Sequence, residues 1–341
     1  MPPLLYLGGV LWVVLSGRRG TLVLGHAYPH AVWFYFPVVF ALKSSLGFLG
    51  LLLLAALTGI SKKVRGERSI AVIPAQFALH WRVLWVSLLV FTGVCLLSPL
   101  DISIRHFSVP IVLLIMLLAP LPRMLGGLQG RSVVFAGAAT VVALAVSCLF
   151  TAVHAYPYYL PYINALSLGR PNYALVNDSN VDWNQGLPEV RRFAEQQRLQ
   201  KIALDQYGFS DVTAFVPQAY PWNCQTPTQE DAGQWVTLSA ANLLEARNCA
   251  WLLQYAHVAL AGGSIYAVRL PAQIPAAGSA GGPPLPSVYR TFGGLPFETR
   301  GFFSHLIQNP GDLPRAVEWM QAAFSASSKS QGSPPRLPWE R

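Results

Sequence analysis

Charge is the scarcest property of this sequence. Only 11% of its 341 residues are charged and 53% are hydrophobic, whereas ordinary soluble domains are roughly 25% charged. Acids are especially rare early in the chain: residues 1–150 hold only Glu67 and Asp101 beside eleven Lys and Arg residues, while residues 151–341 hold 13 of each sign. The basic excess therefore lies in the apolar half of the chain, where Lys and Arg set the orientation of the chain in a membrane. It is not a signal for nucleic-acid binding.

Several motifs of well-known enzyme classes are also missing. The chain has no Walker loop, no dinucleotide fingerprint, no HExxH and no CxxC, so the usual nucleotide, dinucleotide, zinc-protease and redox sites are excluded. Residues 3–16 are apolar, but they lack the charged start and cleavage site of a signal peptide. We expect them to form an interfacial helix on the outer leaflet, anchored by Trp12; a truncated span is the alternative.

Four apolar stretches approach the roughly 20 residues that cross a bilayer: residues 32–60, 84–100, 107–121 and 133–154. The connector SKKVRGER (61–68) and the connector with Arg123 and Arg131 are basic, so the positive-inside rule places both in the cytoplasm. Everything after about His154 is then outside. The predicted fold class is an α-helical membrane bundle of about four spans plus an N-terminal interfacial helix, followed by a small extracytoplasmic α/β domain.

The domain organisation follows from composition and periodicity. Helical patterns (188–200, 242–256) alternate with strand patterns (201–208, 235–240, 262–270), as in a sheet packed with helices. After Pro271 the chain is rich in Pro, Gly, Ala and Ser, with one short helix expected at 317–324. The predicted regions are a membrane bundle (1–155), an aromatic membrane-exit segment (156–169), an extracytoplasmic α/β domain (170–270), and a linker and tail (271–341).

Two cysteines, Cys224 and Cys249, lie in the polar half of the chain. If this half is exported they could form a disulfide, and two free thiols are the alternative.

Charged side chains next to two apolar spans are candidates for binding an anion. Lys43 interrupts the first span, and Asp101, Arg105 and His106 lie in the short loop DISIRH. Arg suits bidentate phosphate binding, and buried charge near a membrane requires a partner. The alternative is that these long side chains only reach toward lipid headgroups.

A second polar group follows the exit segment, in the order Asp178, Ser179, Asn180, Asp182, Trp183 and Gln185. Two carboxylates four residues apart could share a helical face and act in acid/base chemistry or bind a divalent metal. Such a cluster more often caps the next helix. No other feature supports a metal, and the sequence indicates no other cofactor.

Three blocks carry a resemblance to a known family: WFYFPVVFALKSSLGFL (33–49), DISIRHFSVP (101–110), and YPYYLPYINALSLG with LVNDSNVDWNQGL (156–169 and 175–187). Over residues 3–270 the chain resembles the C-terminal half of multi-spanning, polyprenyl-phosphate-sugar-dependent glycosyltransferases of the C type, related to protein O-mannosyltransferases and aminoarabinose transferases. The resemblance implies a membrane glycosyltransferase that works on the outer face with a polyprenyl-phosphate-linked sugar as donor.

The resemblance also implies roles for residues. Lys43, Arg105 and His106 would neutralise the departing phosphate, and the exit-segment groups Tyr159, Tyr162 and Asn164 would line the lipid-phosphate site. The segment from Asp178 to Gln185 would support it. No residue matches the acidic first loop that holds the family's catalytic acid, so Asp101, the only outer-side acid of the membrane half, is the candidate.

Two functional hypotheses remain open at this point. In the first, the chain is a glycosyltransferase or its C-terminal half, completed by a separately encoded N-terminal half. In the second, it is a non-catalytic remnant or membrane-bound binding module with an external α/β domain. Both place an integral protein in the cell or inner membrane, in contact with the lipid bilayer, with its C-terminal domain on the extracytoplasmic side.

Overall fold

Most of the chain up to residue 274 is described by the structure, a computed structural model. The described residues are 21–64, 78–126, 128, 130–176, 178–207, 211–225, 227–244, 249–274, 310–312 and 314–315. The predicted interfacial helix at 3–16, the short helix at 317–324 and most of the linker and tail lie outside them.

Four helical segments among the described residues are long and apolar enough to cross a membrane. After a short helix α1 (Tyr35–Lys43), they are α2 (Leu46–Val64), α3 (Ala78–Leu96), the segment Ile104–Gly126, and α6 (Arg131–Ala155). The third comprises a 3₁₀ turn (Ile104–Phe107), α4 (Ser108–Leu117) and α5 (Leu121–Gly126). The prediction of four apolar spans is confirmed at this level. The predicted third span, 107–121, is extended at both ends.

The structure divides the first predicted span, 32–60, into two helices. Helix α1 ends at Lys43, Ser44 adopts an extended conformation with ψ 149°, and α2 begins at Leu46. The break is stabilised from outside, because the side chain of Asn164 bonds to the carbonyls of Ala41 and Ser44. Only α2 is therefore a candidate span, and α1 lies before it.

Apolar side chains cover the outside of the spans. No part of the most apolar window of α6 is buried within the protein, and only 6% of that of α3 is. Such surfaces suit a hydrocarbon environment. Where α2 meets α6 the backbones come very close: a Cβ atom on Gly47 would lie 2.3 Å from the carbonyl oxygen of Leu144, so only glycine fits there.

A mixed five-stranded sheet follows the spans. Its strands are β3 (Ile202–Asp205), β4 (Ala219–Pro221), β5 (Trp235–Ser239), β6 (His257–Leu260) and β7 (Ile265–Arg269), in the order β4-β3-β5-β7-β6. Strands β4, β3 and β5 are parallel, and β7 runs antiparallel to both β5 and β6. A separate hairpin, β1 (Thr21–Val23) with β2 (His26–Tyr28), precedes α1.

The sheet is covered on both faces. Helix α7 (Leu187–Gln196) buries its apolar stripe, including Val190 and Phe193, against Ile202 and Ile265. On the other face, Val236 and Val268 belong to a second core that also contains Tyr35 and Phe107, which come from α1 and the start of the third span. This continuous core holds the sheet against one end of the membrane helices, termed the domain-side end.

The strand patterns at 201–208, 235–240 and 262–270 correspond to β3, β5 and β7. Two edge strands were not predicted: β4 has three residues and ends in Pro221, and β6 is mostly exposed. The predicted helix at 242–256 is replaced in its described part by short 3₁₀ turns at Ala240–Asn242 and Ala250–Gln254. Cys249, which is disulfide-bonded to Cys224, lies between these turns.

Candidate functional site

Three sequence blocks that are distant along the chain, 33–49, 101–110 and 156–187, meet at the domain-side end of the spans. We call this contact the junction: it comprises the C-terminal turns of α1, the loop 101–106, the exit-segment residues 158–164 and the segment 178–185. Its polar groups form one hydrogen-bonded region between the membrane helices and the sheet.

Asn180 is the centre of the junction and is fully buried. Its side-chain amide donates to the Tyr35 hydroxyl (2.7 Å) and to the Ile102 carbonyl (3.3 Å), and its Oδ1 accepts from the Ile104 amide (3.0 Å). A single side chain thus joins α1, the loop 101–106 and the 3₁₀ turn Asp178–Asn180.

Lys43 is held by backbone carbonyls of the junction. Its Nζ donates to the carbonyl oxygens of Leu160 (2.6 Å), Asn180 (2.7 Å) and Tyr162 (3.2 Å). Burial lowers the pKa of Lys43, which lies outside the four candidate spans, to about 7. The carbonyls oppose this effect, because only the ammonium form has three hydrogens to donate. All three hydrogens are used within the protein, and the predicted role toward a phosphate stays a prediction.

Asn164 closes the C-terminal end of α1. Its side-chain amide donates to the carbonyls of Ala41 (2.6 Å) and Ser44 (2.7 Å), and its backbone amide donates to Leu42 (2.9 Å). These are the carbonyls that a helix end leaves unsatisfied. The two neighbouring tyrosines of the predicted lipid-phosphate site differ in exposure: Tyr159 is mostly exposed, and Tyr162 is half-buried beside Thr151.

Asp101 is a buried carboxylate with one oxygen committed to the protein. Its Oδ2 accepts from the Val32 amide at 2.6 Å, and its backbone carbonyl accepts from the Thr21 hydroxyl at 3.3 Å. Burial raises the pKa of Asp101 to about 6, and the Val32 bond partly opposes this. Its Oδ1 has no hydrogen-bond partner among the described residues. A carboxylate with such a pKa can take up a proton near neutral pH.

Arg105 and His106 form the exposed side of the junction. The Arg105 guanidinium lies 5.6 Å from the ring centre of Trp183, within the range of a cation–π interaction. Trp183 in turn meets the ring of Tyr207 at 6.3 Å. The exposed side of the junction therefore holds one permanent cation, Arg105, over the ring of Trp183, and beside it the imidazole of His106, which has no permanent charge.

Asp182 connects the junction to the sheet. Its Oδ2 accepts from the Ser239 hydroxyl at the end of β5 (2.5 Å), and its Oδ1 accepts from the Asn184 amide (3.0 Å). Burial raises the pKa of Asp182 to about 6, and these bonds oppose the effect. Both oxygens are used within the protein, so the pairing of Asp182 with Asp178 as shared ligands or acid/base groups gains no support.

The segment 178–185 does not cap the following helix. The N-cap of α7 is Gly186, which makes no side-chain capping bond, so the capping interpretation is wrong for this helix. Instead, Asp178 Oδ1 accepts from the amide of Ser179, and Gln185 bonds to the amide of Trp183 (2.6 Å) and the carbonyl of Val181 (3.1 Å). These local bonds hold Trp183 beneath Arg105.

The structure decides between the two alternatives for the cysteines of the polar half. Cys224 and Cys249 are joined in a disulfide, and the Cys224 amide donates to Asp205 Oδ2 at 2.8 Å. Within the part of the chain that the structure describes, no group of three His, Cys, Asp or Glu residues could hold a metal ion.

Sequence reasoning missed Tyr35 and Ser239 as partners of the junction. Tyr35 is one of four consecutive aromatic residues (33–36), so the sequence does not distinguish it. Its hydroxyl gains a role only because Asn180 donates a hydrogen bond to it. Ser239 ends an ordinary strand pattern, so no local signal marks it. The chain matches no known family, no curated protein and no solved structure.

Proposed function

We propose that the chain binds a polyprenyl-phosphate-linked sugar at the junction, on the extracytoplasmic surface, and transfers the sugar to a hydroxyl acceptor. Two observations support this side of the membrane. The far ends of the spans carry Lys62, Lys63, Arg123 and Arg131, as cytoplasmic ends do. The Cys224–Cys249 disulfide is typical of an oxidising compartment.

The observation that carries the proposal is the convergence of three distant sequence blocks on Asn180, with Arg105 and His106 left exposed beside them. The bonds from Asn180 to Ile102 and Ile104 fix the loop that presents this pair. A preorganised cation, Arg105, beside an imidazole that can donate a hydrogen bond suits the charge that develops on a departing phosphate. Arg105 and His106 lie at the domain-side end of the third span. This position would place them at headgroup height, where a polyprenyl phosphate presents its charge.

In the proposed reaction, the acceptor oxygen forms a bond to the anomeric carbon while the bond from that carbon to the phosphate oxygen breaks. The polyprenyl phosphate leaves with the electron pair, and Arg105 and His106 stabilise its charge. Asp101 accepts the proton of the acceptor hydroxyl. Direct displacement inverts the configuration at the anomeric carbon. The raised pKa of Asp101 makes its carboxylate a better base than an ordinary aspartate.

The proposal is tested with purified protein in proteoliposomes that contain a polyprenyl-phosphate sugar, labelled in the sugar, and an added acceptor that carries a hydroxyl group. Release of polyprenyl phosphate together with formation of a glycosylated acceptor is expected. Arg105→Ala should lower the rate at least tenfold, and Asp101→Asn should abolish transfer. Arg191→Ala, which removes an exposed arginine on α7, is the control. Transfer that survives Asp101→Asn would overturn the assignment of the base.

A non-catalytic membrane-bound binding module is the second candidate. It is favoured by a specific observation: Lys43 and Asn164, two residues assigned to the site, use their side-chain donors on backbone carbonyls. In this case polyprenyl phosphate binds but no sugar is transferred. Transfer that appears only when a second membrane protein is added would instead identify the chain as one half of a split enzyme.

A further inference from the structure

A second candidate site adjoins the junction, which it meets through the bond between Val32 and Asp101. An open cleft of ≈ 580 Å³ separates the segment before α1 from the C-terminal end of α3, and its walls include His30, Trp33, Leu97, Ser98 and Pro99. This volume is within the range of small-molecule sites. None of Lys43, Arg105, His106 or Asp178 lines it, so the cleft is separate from the groups proposed to hold the phosphate.

The polar groups of the cleft are available to a ligand. Among the described residues, no hydrogen-bond partner is found for the His30 ring or the Trp33 indole N–H. The Ser98 hydroxyl accepts from the Leu100 amide at 3.1 Å, which leaves its own hydrogen free to donate. Three groups able to donate hydrogen bonds are thus placed around one cleft.

The apolar groups of the cleft are largely exposed. Trp33 is 69% exposed, and Pro99 also lines the cleft. Leu97, which is 85% exposed, extends from the end of α3, where the bilayer surface is expected. A flat aromatic ring beside hydrogen-bonding groups suits a sugar ring, and an exposed leucine suits an alkyl chain.

The cleft and the junction differ in the charge of the side chains that line them. The described residues that line it include no Lys, Arg, Asp or Glu. A phosphate would find no permanent cation here, whereas Arg105 offers one at the junction. A neutral headgroup is therefore the better fit.

Both walls are fixed before a ligand arrives. The Val32 amide donates to Asp101 Oδ2 at 2.6 Å, and the Val32 carbonyl accepts from the Tyr35 amide at 3.0 Å. On the opposite wall, the Leu97 amide bonds to Gly93 (3.0 Å) and the Ser98 amide to Cys95 (3.1 Å). A preformed cleft loses little freedom on binding, which favours affinity.

We propose that this cleft binds the sugar headgroup of a neutral alkyl glycoside at the membrane surface. The sugar ring lies against Trp33 and hydrogen-bonds to His30 and Ser98, and the alkyl chain follows Leu97 into the bilayer. The site goes beyond the proposed transfer reaction and is independent of Arg105 and His106.

The test measures equilibrium binding of radiolabelled octyl β-D-glucoside, below its micelle concentration, to the full chain in phosphatidylcholine nanodiscs. Saturable binding at one site is expected. Trp33→Ala should weaken it roughly fivefold, and Trp33→Phe should retain most of it. The control variant Trp85→Ala, on the exposed surface of α3, should bind as the wild type does.

Two competitors identify which part of the ligand is recognised. Tetraethylene glycol monooctyl ether has the alkyl chain without the sugar, and methyl β-D-glucoside has the sugar without the chain. Each should compete at least tenfold less well than octyl glucoside. An ether that competes equally well would show a site for alkyl chains and overturn the proposal, as would equal binding by Trp33→Ala and Trp85→Ala. Because the readout is binding alone, failure of sugar transfer would leave this result unaffected.

Discussion

The buried and exposed sides of the junction each contain a basic side chain but use it differently. On the buried side, Lys43, Asn164 and Asn180 direct their side-chain donors mainly at backbone carbonyls. On the exposed side, Arg105 stacks over Trp183. A cation near a membrane can therefore stabilise the chain or bind a ligand, and its hydrogen-bond partners distinguish the two roles. The four predictions that follow test this division, from the largest expected effect on stability to the smallest.

Lys43→Met should cause the largest loss of stability. It removes the donor that serves three carbonyls and leaves acceptors without partners inside the junction, at a cost of about 3–5 kcal/mol in the free energy of unfolding. Chemical denaturation in nanodiscs, followed by tryptophan fluorescence, measures the change. Lys63→Met, at the exposed end of α2, is the matched control and should change little. Similar stability for the two variants would show that the carbonyl cluster does not depend on Lys43.

Asn180→Asp should have the next largest effect. The substitution keeps the shape and the acceptor for Ile104, but it removes the donor to Tyr35 and Ile102 and introduces a buried charge. A loss of about 2–3 kcal/mol is expected in the same denaturation assay. Gln196→Glu makes the same chemical change on an exposed position of α7 and should be nearly neutral. An equally mild effect at Asn180 would contradict its central place in the junction.

Asp101→Asn should raise stability while it abolishes transfer. The pKa of Asp101 rises from its ordinary value of 3.8 to about 6 on folding. The folded protein therefore binds this proton more tightly than the unfolded chain does. The stability that the bound proton contributes is lost as the pH rises through 6. Removal of the charge should raise the free energy of unfolding by about 1 kcal/mol at pH 8, after allowance for solvent screening, and by almost nothing at pH 4. Unfolding measured at both pH values checks this; a loss of stability at pH 8 would identify Asp101 as a structural anion.

Trp183→Ala should have the smallest effect on stability of the four. The ring is partly exposed, and its interaction with Arg105 contributes about 0.5–1 kcal/mol. Without the ring, Arg105 should be less well positioned, and affinity for polyprenyl phosphate should fall about threefold. Binding of labelled polyprenyl phosphate to nanodiscs measures this, with Trp85→Ala as the control. A large loss of stability would instead place Trp183 on the buried side of the comparison.

Much of the fold could be predicted from the sequence because its main features repeat over many residues. Four apolar stretches identify the candidate spans, and short apolar runs identify the three mostly buried strands β3, β5 and β7. The break at Ser44 could not be predicted in this way. It depends on Asn164, which is 120 residues further along the chain and bonds to the Ser44 carbonyl.

The candidate site was harder to predict because residue type does not specify its partners. The sequence predicts the same phosphate-binding role for Lys43, Arg105 and His106, since all are basic and lie near apolar spans. Only the fold separates Lys43, whose hydrogens go to Leu160, Tyr162 and Asn180, from the exposed pair. The same holds for Asp182, whose partner Ser239 is 57 residues away and carries no local signature.

The most direct test of the division is the affinity of Arg105→Ala for labelled polyprenyl phosphate in nanodiscs, measured beside its free energy of unfolding. We expect an affinity loss of at least tenfold, with the free energy of unfolding within about 0.5 kcal/mol of the wild type. Arg191→Ala should change neither quantity. Unchanged binding, or a loss of binding that accompanies an equal loss of stability, would contradict the assignment of the exposed side of the junction to phosphate.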